Sequence, residues 1–146
     1  MSRTFDEWMD HAIQREQYAH DYYVAAMDRV QGVGVRELLR ILAAEELGHR
    51  GRLEAVRKNQ DWSALGKGLK DPGADFAAGF RFVPLDAVAT AQEILGVAIL
   101  NEDNARRFYE WFVEVYMGTE LEDFFRKLAR EEQRHAELLA ELQKAR

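Results

Sequence analysis

Two stretches of this chain repeat one another at a fixed offset: Glu16, Glu46 and His49 become Glu102, Glu132 and His135 on adding 86. One Glu-x-x-His in a glutamate-rich chain means little, but a shared offset for three residues is a different matter. Laying residues 12–58 on 98–144 keeps fourteen identities in forty-seven pairs, among them Ala12/Ala98, Ala19/Ala105, Tyr23/Tyr109, Gly32/Gly118 and Leu53/Leu139. A chain of this kind folds as two copies of one unit.

Periodicity identifies the unit as a helical hairpin. Phe5, Met9, Ala12, Glu16, Ala19, Tyr23, Ala26 and Val30 are spaced alternately four and three apart, the seam of a core-facing helix. The copy runs Ala91, Leu95, Ala98, Glu102, Ala105, Tyr109, Phe112 and Tyr116. Second helices follow in each unit, on Val35, Leu39, Leu42, Glu46, His49, Leu53 and Val56, and on Leu121, Phe125, Leu128, Glu132, His135, Leu139 and Leu142. Thr4 to Glu7 and Thr119 to Glu122 read as capping boxes, and Gly32 and Gly34 break the chain between the first two helices. Short links at 31–34 and 117–118 make each pair antiparallel. Residues 59–84, punctuated by Gly66, Gly68, Asp71-Pro72-Gly73, Gly79 and Pro84, have no sustained seam; a short helical turn fits only near Asp61 to Leu65. At about 3.3 Å per extended residue this stretch can run the length of a bundle. The expected architecture is all-α: one domain over 1–146, with hairpins at 4–58 and 85–145 joined by a long crossover at 59–84.

Composition removes several classes of function. There is no cysteine, so thiolate metal sites and thiol nucleophiles are excluded and any metal must be held by oxygen and nitrogen. Net charge is −6 with no Lys/Arg cluster, which argues against nucleic acid and anionic membranes as partners. No run of about eighteen apolar residues occurs, and Met1 to Asp10 is unlike a secretory signal, so a soluble cytoplasmic protein is expected.

The seams carry six polar residues: Glu16, Glu46, His49, Glu102, Glu132 and His135. Four carboxylates facing one another in a bundle core cannot all stay ionised alone, because each like-charge pair at about 4 Å costs about 4 kcal/mol at an effective dielectric near 20. No Lys or Arg lies on those stripes. Two divalent cations close the charge count, and oxygen with two imidazoles suits iron or manganese. One Glu from each of two helices and Glu-x-x-His from the other two is the ligand pattern of di-iron and di-manganese bundles. Glu46 and Glu132 are expected to bridge, with Glu16 and Glu102 terminal. Glu45 and Glu131 lie about 100° away on their helices, at the surface or supporting the ligands. Tyr23 and Tyr109, the candidate catalytic residues, lie on the seam two turns beyond Glu16 and Glu102. Core packing and a hydrogen bond to a ligating carboxylate are both open to them. Tyr22 and Phe108 read as packing, and His11 and His20 fall off the seam. Trp8, Trp62, Trp111, Phe112 and Phe124 exceed what one four-helix core needs, which points to an oligomer interface.

With these residues assembled, the chain resembles the rubrerythrin branch of the ferritin-like di-iron carboxylate proteins. The resemblance rests on Glu16-x-x-Ala19-x-x-Tyr22-Tyr23, Glu45-Glu46-x-x-His49, Glu102-x-x-Ala105-x-x-Phe108-Tyr109 and Glu131-Glu132-x-x-His135. It implies a ferritin-like bundle with a crossover, two irons between the helices, oxidation of the reduced pair by hydrogen peroxide or dioxygen, and a homodimer. Two departures stand out. Full rubrerythrins carry a cysteine-rich rubredoxin domain, whereas these residues hold no cysteine, so electrons must come from an external donor. They also carry an extra Glu one turn from the third-helix ligand, where this chain has Ile99 and Ala105. A peroxidase or ferroxidase is the leading expectation, ahead of an iron-binding or storage module, a hydroxylase of an organic substrate, and a metal-free adaptor.

Overall fold

A computed structural model describes residues 5–59, 82–87 and 89–145. Four helices make up the fold: α1 Phe5–Met27, α2 Val33–Asn59, α3 Ala91–Val115 and α4 Glu120–Lys144. α1 packs along α2 and α3 along α4 as two hairpins. Tyr23 bonds Glu102 and Tyr109 bonds Glu16, so α1 and α3 run antiparallel; α2 and α4 do likewise, with Glu45 beside His135 and Arg52 beside Glu131. Among the described residues no helix is long and apolar enough to cross a membrane.

The helices end where the repeat demands it. Gly32 and Gly118 occupy the same position in the two units, and both adopt positive φ, 110° and 82°. That left-handed turn is disfavoured for any residue with a Cβ. Helix starts differ from the sequence reading. Thr119 caps α4 by accepting from the Leu121 amide, while Glu122 reaches back to the Gly118 amide, one residue short of a reciprocal capping box. The full box lies at α3, where Thr90 accepts from the Glu93 amide and Glu93 accepts from that of Thr90. Thr4 lies outside the described residues.

The second hairpin was expected from residue 85, but its helix begins at Ala91. Pro84 cannot donate a helical hydrogen bond, and the Thr90 cap sets the start. The segment before α3 is instead pinned to the bundle: Arg29 donates to the carbonyls of Asp86, Ala87 and Ala89, and Asn101 exchanges two hydrogen bonds with the Val83 main chain. α2 runs through Asn59. Most of the expected crossover, including the turn near Asp61 to Leu65, lies outside the described residues.

The seam residues are buried or half-buried throughout. They form two apolar clusters. One holds Phe5, Met9, Leu53, Phe112, Phe125 and Leu128, the other Tyr22, Val30, Leu39, Leu42, Leu95 and Leu139. Along every helix the six polar seam residues fall between the two clusters. Trp8 and Phe112 belong to the first cluster, with Trp111 and Phe124 packed against it. Within the single chain these four aromatics thus pack in or against the core; Trp62 lies outside the described residues.

Candidate metal centre

Each helix delivers its polar seam residues to the middle layer. α1 contributes Glu16, α2 Glu46 and His49, α3 Glu102, and α4 Glu132 and His135, all at most 3% exposed. The Glu and His of each Glu-x-x-His pair sit one turn apart on one face, which is why both point inward. Side-chain atoms of Glu16, Glu46, His49 and Glu132 lie within 4.8 Å of one another, as do those of Glu46, Glu102, Glu132 and His135. Glu46 and Glu132 belong to both groups. The two imidazoles lie parallel, centroids 5.8 Å apart with 8° between planes, in keeping with the duplicated design.

One atom from each of the six side chains is buried with no hydrogen-bond partner among the described residues: Glu16 Oε2, Glu46 Oε1, His49 Nδ1, Glu102 Oε2, Glu132 Oε1 and His135 Nδ1. Buried polar atoms are ordinarily satisfied; these six face only one another, His49 Nδ1 3.0 Å from Glu132 Oε1 and His135 Nδ1 3.1 Å from Glu46 Oε1, and together they are a donor set that matches cations. The outer atoms of Glu16, Glu102 and His135 are engaged. Tyr109 donates to Glu16 Oε1 at 2.5 Å and Tyr23 donates to Glu102 Oε1, each crossing between α1 and α3. His135 Nε2 faces Glu45 Oε2 in hydrogen-bond contact. In the neutral imidazole that contact favours the proton on Nε2 and would leave the Nδ1 lone pair turned to the centre.

The duplicate of that contact is weaker. His49 Nε2 is 3.6 Å from Glu131 Oε2, and the same oxygen accepts from Arg52 at 2.5 Å. Arg52 corresponds to Leu138 in the other unit, so the ion pair has no counterpart. Both acidic residues that lay off the seam thus face the imidazole of the opposite helix, Glu45 in hydrogen-bond contact and Glu131 at longer range.

Without a cation, protons balance the charge. Burial and then the carboxylates of Glu102, Glu132 and Glu16 hold Glu46 well above the ordinary carboxyl range, and burial with Glu102 and Glu16 pushes Glu132 up to about 7. Burial alone would lower His49, but Glu132 and Glu16 outweigh it and raise it to about 11; His135, likewise opposed by burial, rises to about 9 through Glu102 and Glu132. Burial also opposes ionisation of Glu16, yet His49 keeps its carboxyl below the usual value. The Tyr23 and Tyr109 hydroxyls, buried beside anions, are raised well above theirs and stay protonated donors.

Sequence reading missed a second buried stripe. Trp8, Arg15 and Tyr22 on α1, and their duplicates Ile94, Asn101 and Phe108 on α3, recur every seven residues and are all buried where these helices meet. Spacing by seven at the same offset was the available signal. Tyr22 donates to the Ile94 carbonyl at 2.6 Å, so it does more than pack. His20 pairs with Asp21, and His11 packs edge-on to Trp8 and tilted against Phe108; neither belongs to the ligand groups at the centre.

A bundle of two hairpins with Glu/Glu-x-x-His on each, converging in its core, is a specific arrangement, and comparison agrees with it. Residues 93–146 match the rubrerythrin family. The matched stretch carries Glu102, Glu132 and His135, and the duplicated Glu16, Glu46 and His49 complete the cluster from outside it. A solved structure of a hypothetical protein from Pyrococcus furiosus superposes over 95% of this chain and 87% of its own, with a TM-score of 0.71 at 20% identity, which speaks for the fold alone. No curated protein matches the chain. The fold is therefore a four-helix arrangement of two hairpins, and its stretch 93–146 is similar to the rubrerythrin family. Its buried Glu/His clusters are consistent with a carboxylate-bridged dimetal site, in a chain whose 146 residues include no cysteine.

Proposed function

We propose that this rubrerythrin-like chain is a non-haem di-iron oxidoreductase that reduces hydrogen peroxide or dioxygen. In this reading Glu46 and Glu132 bridge two metal ions, Glu16 with His49 and Glu102 with His135 complete the two ends, and iron is preferred to manganese. The observation that carries it is the set of six orphaned ligand atoms, one from each residue, with Glu46 and Glu132 common to both groups. Two divalent ions balance four carboxylates with both imidazoles neutral, displacing the protons that otherwise do so.

When bound, a reduced iron pair supplies two electrons, the number needed to convert hydrogen peroxide to water. The protein's own groups set the stage. Tyr23 and Tyr109 fix the orientation of the terminal carboxylates and, as neutral phenols, keep protons at Glu102 Oε1 and Glu16 Oε1. Beside the cluster, lined by residues of all four helices and by Phe82, is a cavity in which the centre of a water-sized guest has about 10 Å³ to move, room for a molecule of only a few atoms. That size favours peroxide or oxygen over an organic substrate. With no cysteine relay in these residues, turnover draws on an external electron donor.

Anaerobic iron loading followed by stopped-flow absorbance tests the reading. Oxidation by about one peroxide per iron pair, faster than by oxygen, is expected for a peroxidase. Faster reaction with oxygen moves the assignment to a ferroxidase. No reaction with either oxidant, two irons being bound, refutes the enzyme.

A further inference from the structure

The small cavity has a charged wall that the proposed metal chemistry does not use. Arg15 is 5% exposed, precedes Glu16 and lines the cavity with Ala19, Asn101, Glu102 and Ala105. Its NH2 donates to the Asn101 carbonyl at 3.2 Å, but its Nε is buried without a hydrogen-bond partner among the described residues. A buried cationic donor left unpaired is costly, so a partner is called for. Asn101, its duplicate, does not compete, because its side chain is committed to Val83 N and O at 2.8 and 2.9 Å. Those bonds hold the neighbouring Phe82 at the cavity, where its ring lies 5.9 Å from those of Tyr18 and Tyr22 and limits what can enter.

We propose that Arg15 makes this cavity a binding site for a small anion of two or three atoms, of the hydroperoxide or azide class, next to the metal pair. The inference rests on the metal reading above. With the four carboxylates neutralised by two divalent ions, the guanidinium leaves the pocket one charge positive. A neutral guest meets Nε with an ordinary hydrogen bond, whereas an anion meets it with a charge-assisted one. Arg15 is in this sense a specificity-determining residue, selecting a guest by charge where Phe82 selects it by size.

The test uses the full chain loaded with cobalt(II), with azide as the probe and visible absorbance as the readout, so no turnover is involved. Wild type should take up two cobalt ions and bind azide saturably. Arg15→Asn, which installs the residue found at the duplicated position, and Arg15→Gln should still take up two cobalt ions but bind azide about tenfold more weakly or worse. Arg15→Lys should recover part of the affinity; if the neutral variants do not fold, its loss relative to wild type decides, and equal azide affinity there counts against the proposal. Unchanged azide affinity in a neutral variant holding two cobalt ions overturns the anion site and leaves the metal reading intact. Failure of wild type to take up two ions overturns both.

Discussion

At the scale of single residues, the two units are alike in their inner atoms and unlike in their outer ones. Glu45 orients His135 directly, whereas Glu131 shares the oxygen facing His49 with Arg52. Removing a carboxylate that supports a metal-bound imidazole commonly costs tenfold to a hundredfold in affinity. Glu45→Gln should therefore weaken one cobalt site by about tenfold or more, and Glu131→Gln should weaken the other by less, as two resolved steps in a metal titration would show. Equal effects would remove the role given to Arg52. Protonation gives a second prediction. The folded values of Glu132 and Glu46 are raised above the ordinary 4.5, and those of His135 and His49 above 6.5. Raised groups stabilise the fold fully below their unfolded values, and lose that contribution as pH climbs through the folded ones. The metal-free protein should thus melt progressively lower as pH rises through about 7, 9 and 11, the values of Glu132, His135 and His49. Metal uptake near pH 8 should release about two protons per pair, chiefly from His49 and His135. Glu46→Gln imitates the protonated residue, so it should raise the metal-free melting temperature at pH 8 while weakening metal binding. A metal-free melting temperature that climbs across this range would contradict the charge assignment.

At the scale of helices and turns, the repeat explains which glycines matter. A Cβ at Gly32 would make only an ordinary 3.6 Å contact with Val35, and one at Gly118 would meet nothing, so the cost of alanine at either lies in the backbone. Gly32→Ala and Gly118→Ala should each destabilise by about 1–2 kcal/mol. Gly48 lies within α2, where an added Cβ meets nothing within 4 Å, and Gly48→Ala should stabilise by up to about 1 kcal/mol. Urea unfolding of the three variants separates the signs. The same scale shows what a sequence can disclose. Seam positions were legible because each placed an apolar or ligating side chain on one face at intervals of three and four. Arg15 and Asn101 were not, because polar residues off a narrow seam read as solvent-facing until α3 is laid on α1. The full capping box at Thr90 was hidden among irregular residues before α3, and Glu45 and Glu131 revealed their partners only once α2 faced α4. Convergence of six residues was legible from the duplication alone, since one hairpin cannot neutralise its carboxylates and two related by a repeat bring them together.

At the scale of the whole molecule, a polar layer divides two apolar clusters, and every helix crosses it. Whatever fills that layer ties both hairpins together. Cations that bind only the folded chain should therefore raise its stability, in proportion to the logarithm of their concentration above the dissociation constant. The same layer lies beside the small cavity and beneath Tyr23 and Tyr109, so stability and chemistry share one set of groups. The central claim is that the layer holds two metal ions, and elemental analysis of iron-reconstituted protein, paired with melting curves, addresses it most directly. Two irons per chain and a higher melting temperature than the metal-free form are predicted; a folded chain holding one iron or none, melting identically with and without metal, would contradict the account.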